Sequence, residues 1–273
     1  MSDTVDLSII ILNYKMDGLV KHCLKSIFSH EHRLRFEVIV VDNGSGDRCE
    51  HIVNEQFPQA RFIQTGANLG HAKGNNVGIT ASRGRYVMIL NPDTVFLQPV
   101  LDSLVKTLDE DPKIGIATVQ LRNPDGTLQS GAWRFPTLFD PLFQRIGFLH
   151  RSPKGQKAVQ HYEMREWNRE TPRDVDWVQG SCLTIRRATI QAIGALDENF
   201  FLYFTDVDWC RRAWEGGWRV RYLTGPSLVH YFHRESAEAS GWRVFFNKVS
   251  RIHIKDWFRY LRKYRGRPHP RST

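Results

Sequence analysis

Four polar clusters carry the residue types needed to hold and displace a charged ligand: Asn13-Tyr14, Asp42-Asn43-Gly44-Ser45, Asn68-Leu69-Gly70 and Asn91-Pro92-Asp93. Asp42 follows a β-branched run, where its carboxylate can accept hydrogen bonds from a base or ribose; the competing reading is an N-cap for the next helix. Asn68 to Gly78 (NLGHAKGNNVG) has three glycines and two adjacent asparagines opening a helix, and Lys73 adds positive charge near exposed backbone N–H groups, a combination suited to an anionic phosphate. Asp93 is a single carboxylate at a strand end, and one carboxylate plus substrate phosphates is the usual way Mg²⁺ or Mn²⁺ is held. Later, Asp197 to Cys210 (DENFFLYFTDVDWC) places Asp206 and Asp208 beside aromatic residues that can stack a ring and raise a carboxylate pKa by excluding water. Its structural alternative is a helix cap after Thr205. Any one cluster is accounted for as a turn rich in Asn, Asp and Gly; four on one sheet edge are not.

The elements that must position these residues are legible from periodicity. Leu7–Leu12, Phe36–Val41, Arg61–Gln64, Arg85–Leu90 and Ile114–Leu121 read as strands. Leu19–Phe28 and Val100–Leu108 place their apolar residues on one helical face. Strands alternating with amphipathic helices predict an α/β fold with a parallel or mostly parallel sheet, and such sheets bind ligands at the C-terminal ends of their strands. The pattern loosens from Arg122 to Val175, around five prolines, and reads as a long functional insertion or lid. Order returns at Trp177–Arg186, with a helix near Asp206–Glu215 and short strands near Trp218–Leu223 and Ser227–Tyr231. No GxGxxG or GxxxxGK[ST] motif is present, which disfavours dinucleotide and P-loop assignments.

The chain has 273 residues, 41% hydrophobic and 25% charged, the profile of a folded enzyme-sized protein. The net charge of +9 is local: Gly241–Thr273 has ten Lys or Arg against one acid, Asp256, while the other 240 residues balance at 28 of each sign. A nucleic-acid partner is therefore not expected. Within that tail Trp242, Phe245, Val249 and Ile252, then Trp257, Leu261 and Tyr264, recur at helical spacing with basic residues between them. This fits a helix on an anionic membrane surface and equally a packing helix with a solvated basic face. Cys23, Cys49, Cys182 and Cys210 form no C-x-x-C pair and read as reduced, buried thiols. With no signal peptide or spanning segment expected, the protein should remain cytoplasmic, peripheral on the inner face of the cytoplasmic membrane if the tail binds it.

The stretches SIIILNY, VIVVDNGS, NLGHAKGNNVGI, YVMILNPD, WVQGSCLTIRR, LDENFFLYFTDVDWCRRAWEGGW and VHYFHRES resemble, in order and spacing, the inverting GT-A glycosyltransferases of family 2, particularly the bacterial rhamnosyltransferase-like branch. The resemblance implies a GT-A, Rossmann-like domain over residues 1–240, with a nucleotide-binding half to about 121 and an acceptor-binding half beyond it, followed by the basic tail 241–273. It implies that Tyr14 and Asp42 hold the nucleotide base and that Asn68, Gly70, Lys73, Gly74 and Asn75 line the ribose and sugar pocket. Asp93 then corresponds to the remnant of a DxD metal motif, His230 to a histidine assisting metal or diphosphate binding, with His233 as its competitor, and Asp206 to the general base. The chain departs from the pattern at Thr205, where many relatives have Glu, and at Asn91, in place of the first metal-motif acid.

The expected reaction is a metal-assisted direct displacement. A hydroxyl of a glycan or lipid-linked acceptor attacks the anomeric carbon of a dTDP- or UDP-sugar, with rhamnose as the candidate sugar and Mg²⁺ or Mn²⁺ at the diphosphate. Alternatives are a nucleotidyltransferase, which asks for a Gly-rich triphosphate loop absent here, and a catalytically silent nucleotide-sugar or nucleic-acid binder.

Overall fold

The five strands expected between Leu7 and Leu121 form within one residue of their predicted limits: β1 (Leu7–Asn13), β2 (Phe36–Asp42), β3 (Ala60–Gln64), β4 (Tyr86–Leu90) and, after the short β5 (Thr94–Val95), β6 (Ile114–Arg122). The computed structural model describes residues 4–137, 152–231 and 248–271. Later strands are β7 (Ala132–Trp133), β8 (Arg173–Asp174), β9 (Trp177–Val178), β10 (Cys182–Arg186) and β11 (Arg219–His230). The nine-stranded sheet has the order β3-β2-β1-β4-β10-β6-β11-β5 with β8 on β11, and β7 and β9 pair separately. Strands β1 to β4 are mutually parallel and β6 is parallel to β11, whereas β10 runs antiparallel between β4 and β6. The two short strands expected near Trp218 and Ser227 are one strand, β11, whose register with β6 shifts between Tyr222 and Ser227.

Side chains of period two send alternate residues to opposite faces of the sheet. Ile9, Ile11, Val38, Val40, Met88 and Leu90 face one core, under α1 (Asp17–Phe28), α2 (Cys49–Gln56) and α4 (Leu101–Glu110). Ile10, Ile39, Val41, Val87 and Ile89 face the other, under α3 (His71–Ala81), α7 (Thr205–Glu215) and α8 (Lys248–Tyr264). The remaining helices among the described residues are α5 (Pro153–Tyr162), inside the region expected to be irregular, and α6 (Arg187–Ile193). Helix α5 is legible in retrospect from its ends: Ser152 caps it by accepting from Gly155 N, and Pro153 occupies the first turn.

Helix α8 packs on the domain. Ser250, Asp256, Tyr260 and Tyr264 are buried at helical spacing, and Tyr260 and Tyr264 join the core that α7 covers. The outward stripe is Arg251, Lys255, Phe258 and Arg262, continued by the exposed Arg265 just past the helix end. The helix face expected from Trp257, Leu261 and Tyr264 is thus in part turned inward, because Tyr264 is consumed in the core. Trp242, Phe245 and His233 lie outside the described residues. Among the described residues no helix is long and apolar enough to cross a membrane, and all four cysteines are buried and unbonded to one another.

Candidate active site

Because β1 to β4 are parallel, Asn13, Asp42 and Asn91 emerge on one edge, as the sequence predicts. The loops there are tied together by Asn13, whose Nδ2 donates to Asp42 Oδ1 (2.7 Å), Ser45 Oγ (3.0 Å) and both Asp47 oxygens (3.2 and 3.1 Å). Its Oδ1 accepts from Met16 N and so shapes the turn from which Tyr14 projects, 40% exposed. Asp42 is buried, and its second oxygen accepts from Ser45 N. It does not cap a helix: α2 starts at Cys49, whose N–H is taken by Asp47. Asp42, Asp47 and Cys49 place ligand-type atoms within 4.8 Å of one another. The Asn13 amide nitrogen already sits among the carboxylates, and burial pushes the Cys49 thiol up to about 12, so it stays protonated. This cluster is satisfied as a hydrogen-bond network.

The loop before α3 is anchored to β2 through Asn43, which donates to Asn68 Oδ1 and Gly70 O and accepts from Leu69 N. The helix N-terminus is narrower as an anion cradle than its sequence suggests. Gly70 N donates to Asn68 Oδ1 and His71 N to Phe201 O. Gly70 has φ +84°, and a Cβ there would lie 2.6 Å from the Phe201 carbonyl oxygen, so only glycine permits this approach of backbone to backbone. Gly74 likewise lets α3 settle on Leu12, 2.7 Å from where its Cβ would be. Asn75 is fully buried, donating to His71 O while its Oδ1 has no hydrogen-bond partner among the described residues, whereas Lys73 is exposed.

Asp93 and His230 are brought together by the antiparallel pairing of β5 with β11 and by the Tyr231 N to Asp93 O hydrogen bond. Their Oδ1 and Nε2 atoms are 3.4 Å apart, with the imidazole buried. Asp93 Oδ1 is buried without a hydrogen-bond partner among the described residues. Two ligand atoms at right angles around an octahedral ion with bonds of about 2.1 Å lie about 3 Å apart, so this pair fits a divalent cation. Carboxylate oxygen with imidazole nitrogen suits Mn²⁺ better than Mg²⁺, which favours oxygen alone.

Asp206 stands in the first turn of α7, reached through Phe204, a non-glycine residue in the left-handed region at φ +64°. Its Oδ2 accepts from Gly180 N (3.0 Å) and its Oδ1 from Val207 N (2.9 Å). It has no cationic partner among the described residues, and burial holds its carboxyl above the usual carboxylate range, opposed by those backbone bonds. Gly180 leads to Ser181, whose carbonyl accepts from Asn91 N, so the loop that touches Asp206 also fixes the approach to Asp93. Asp208 is fully buried and paired with Arg212 (2.8 Å) and Lys263 (2.6 Å). At 3.6 residues per turn the two carboxylates diverge by about 200°, as expected from the sequence.

Several residues of this region were not singled out from sequence. His71 shares a hydrogen bond of 3.1 Å with Thr205 Oγ1, joining α3 to α7 beside Asp206, and burial lowers its pKa to about 4. The fully buried Asp256 of α8 accepts from the backbone N–H groups of Phe201, Leu202 and Tyr203 and from Arg259. As the one acid of the basic tail it was conspicuous, but only the fold brings it to that loop.

The family model described as "Glycosyl transferase family 2" matches residues 8–171. The N-acetylglucosaminyl-diphospho-decaprenol L-rhamnosyltransferase of Mycobacterium tuberculosis is 27% identical over 241 residues, covering 81% of this chain and 76% of that protein. Rhamnosyltransferase WbbL of Escherichia coli is 24% identical over 266 residues, covering 94% and 93%. Among solved structures, the mannosyltransferase PcManGT from Pyrobaculum calidifontis, in complex with GDP-Man and Mn²⁺, is similar with a TM-score of 0.62 at 17% identity, over 98% of this chain and 67% of that one. At that identity the likeness is one of fold.

Proposed function

The chain belongs to glycosyl transferase family 2, and on that premise we propose that it moves rhamnose from a dTDP- or UDP-linked donor to a lipid-linked or growing glycan acceptor, with inversion at the anomeric carbon. That it is a glycosyltransferase follows from the family and from its rhamnosyltransferase relatives. The choice of sugar and acceptor rests on those relatives' names, one of which specifies a diphospho-decaprenol carrier.

The observation that carries the mechanism is the contrast at α7: Asp206 is a carboxylate with raised pKa and no cationic partner among the described residues, while Asp208 is locked in ion pairs. Asp206 accepts the acceptor hydroxyl's proton as the oxygen attacks the anomeric carbon from the side opposite the diphosphate. The Gly180 and Val207 amides fix the carboxylate's orientation. Asp93 and His230 would hold Mn²⁺ or Mg²⁺, which when bound supplies positive charge to the leaving diphosphate. Tyr14 and Lys73 offer exposed side chains to the nucleotide, whereas Asp42, Asn68, Gly70, Gly74 and Asn75 shape the wall behind it. The family match ends at residue 171, before Asp206 and His230, so these two roles rest on the geometry.

We also place the acceptor at a membrane surface, because the outward stripe of α8 and the residue after it is basic, Arg251, Lys255, Arg262 and Arg265 around the exposed Phe258. Each cation near an anionic leaflet contributes about 1 kcal/mol. Reversing all four charges should reduce sedimentation with anionic liposomes and leave the fold intact; unchanged sedimentation argues against this surface.

The reaction itself is tested by incubating the protein with Mn²⁺, dTDP-rhamnose or UDP-hexoses, and a polyprenyl-diphosphate-linked amino sugar, reading product and anomeric configuration by NMR. Retained configuration, or transfer that survives in Asp206→Asn, overturns the mechanism.

A further inference from the structure

We propose that Gln129 is a positioning residue that sets the tautomer of His230, holding the proton on Nδ1 so that the Nε2 lone pair is presented beside Asp93. The inference rests on the reading of Asp93 and His230 as cation ligands. Nothing in the sequence pattern marked Gln129. It reaches the site because residues 123–127 turn back on β6: Asn123 N donates to Thr127 O, Gly126 N to Asn123 O, and Gln129 N to Leu121 O.

The hydrogens in this turn can be assigned one at a time from a charged end. The Asp125 carboxylate can only accept when ionised, and hydrogen bonds from Thr127 lower its pKa. Thr127 Oγ1 therefore donates to Asp125 Oδ1 (2.6 Å) and accepts from Asn123 Nδ2 (2.8 Å). With its nitrogen so engaged, Asn123 presents Oδ1 to Gln129 Nε2 at 2.7 Å, and the same Nε2 donates to His230 O at 2.8 Å. The Gln129 amide is thus fixed by two acceptors, leaving Oε1, an acceptor only, 2.9 Å from His230 Nδ1. Nδ1 must carry hydrogen.

A neutral imidazole protonated on Nδ1 has its lone pair on Nε2, the atom that stands 3.4 Å from Asp93 Oδ1. A lone pair and a carboxylate oxygen at that separation repel one another unless positive charge joins them. A proton on Nε2 or a cation between the two atoms supplies that charge, and the Nδ1–H tautomer provides the Nε2 lone pair for the cation. Partners that orient a metal-binding histidine in this way contribute 10- to 100-fold to metal affinity.

The test uses Mn²⁺ alone as probe, followed by electron paramagnetic resonance titration, and nitrogen-15 NMR of the metal-free protein to read the His230 tautomer. The wild type should show Nδ1–H; an Nε2–H tautomer or an imidazolium at neutral pH overturns the proposal without any variant. Gln129→Met, which keeps length and removes the acceptor, should weaken Mn²⁺ binding about 10- to 100-fold and release the tautomer preference, while Gln129→Glu, which still accepts from Nδ1–H, should restore it. If Asp93→Asn and His230→Gln lose Mn²⁺ but folded Gln129→Met binds it like wild type, the role of Gln129 fails and the cation site stands. If Asp93→Asn and His230→Gln also bind normally, the cation reading itself fails.

Discussion

Tyr264 donates a hydrogen bond of 2.7 Å from its phenol to the fully buried carboxylate of Asp208. With Arg212 and Lys263 on the same group, Asp208 becomes the point at which α7 grips α8. Asp206, two positions earlier, instead faces the Gly180 amide. A motif that reads as two equivalent acids is divided by helix geometry into an anchor and a candidate base.

Asp206→Asn should therefore lower turnover by about 10²- to 10⁴-fold with donor affinity and melting temperature near wild type. Asp208→Asn should lose stability on the order of 3 kcal/mol, because Arg212 and Lys263 lose the buried charge they pair with, and its activity should track its folded fraction. Parallel measurement of transfer, donor binding and thermal unfolding separates the two. A stable, inactive Asp208→Asn beside an active Asp206→Asn reverses the assignment.

The raised pKa of Asp206 has a directional consequence for rate. A base works only when ionised, so turnover should fall as pH drops, with the midpoint above the roughly 3.9 of an exposed aspartate. A pH profile of kcat whose acid limb lies at or below that value contradicts the burial of this carboxylate as its cause.

His71 supplies the opposite linkage. Burial lowers its pKa to about 4, so the folded protein keeps it neutral while the unfolded chain takes up a proton below about 6.5. Stability from this group is present above that value and lost as pH falls toward 4, on the order of 2 kcal/mol allowing for its partial exposure. Urea unfolding at pH 7.5 and pH 4.5 should show a smaller difference for His71→Gln than for wild type; equal differences exclude His71 as the source.

Truncation before Trp257 is expected to unfold the domain, since it removes Tyr260 and Tyr264 from the core and two partners from Asp208. Loss of liposome binding in such a protein says nothing about membranes. Charge reversal at Arg251, Lys255, Arg262 and Arg265, which are exposed, should leave the unfolding transition in place. A truncated protein that melts like wild type contradicts the packed role of α8.

Period-two runs and strand-end polar residues made β1 to β4, β6 and the polar edge at the strand ends legible, because each is encoded within about ten residues. What escaped depends on distant pairings. Asp256 meets residues 201–203 only when α8 docks, Gln129 meets His230 across 101 positions, and Gly180 reaches Asp206 across 26. The antiparallel insertion of β10 between β4 and β6 has no local signature either, since Cys182–Arg186 reads as a buried strand in either direction. Helix α5 was hidden for another reason: the prolines of the region around it suggest loop, and Pro153 sits at the one end of a helix where proline is tolerated.

The three amides of Phe201, Leu202 and Tyr203 that end on Asp256 also impose an order on biosynthesis. Asp256 is added 53 residues after Tyr203, a delay of roughly 3 to 10 s at about 5–20 residues per second. During that interval the Phe201, Leu202 and Tyr203 amides lack the carboxylate on which they end in the folded protein. The loop that leads into α7 is thus completed only when α8 has been made, however early the strands before it are in place.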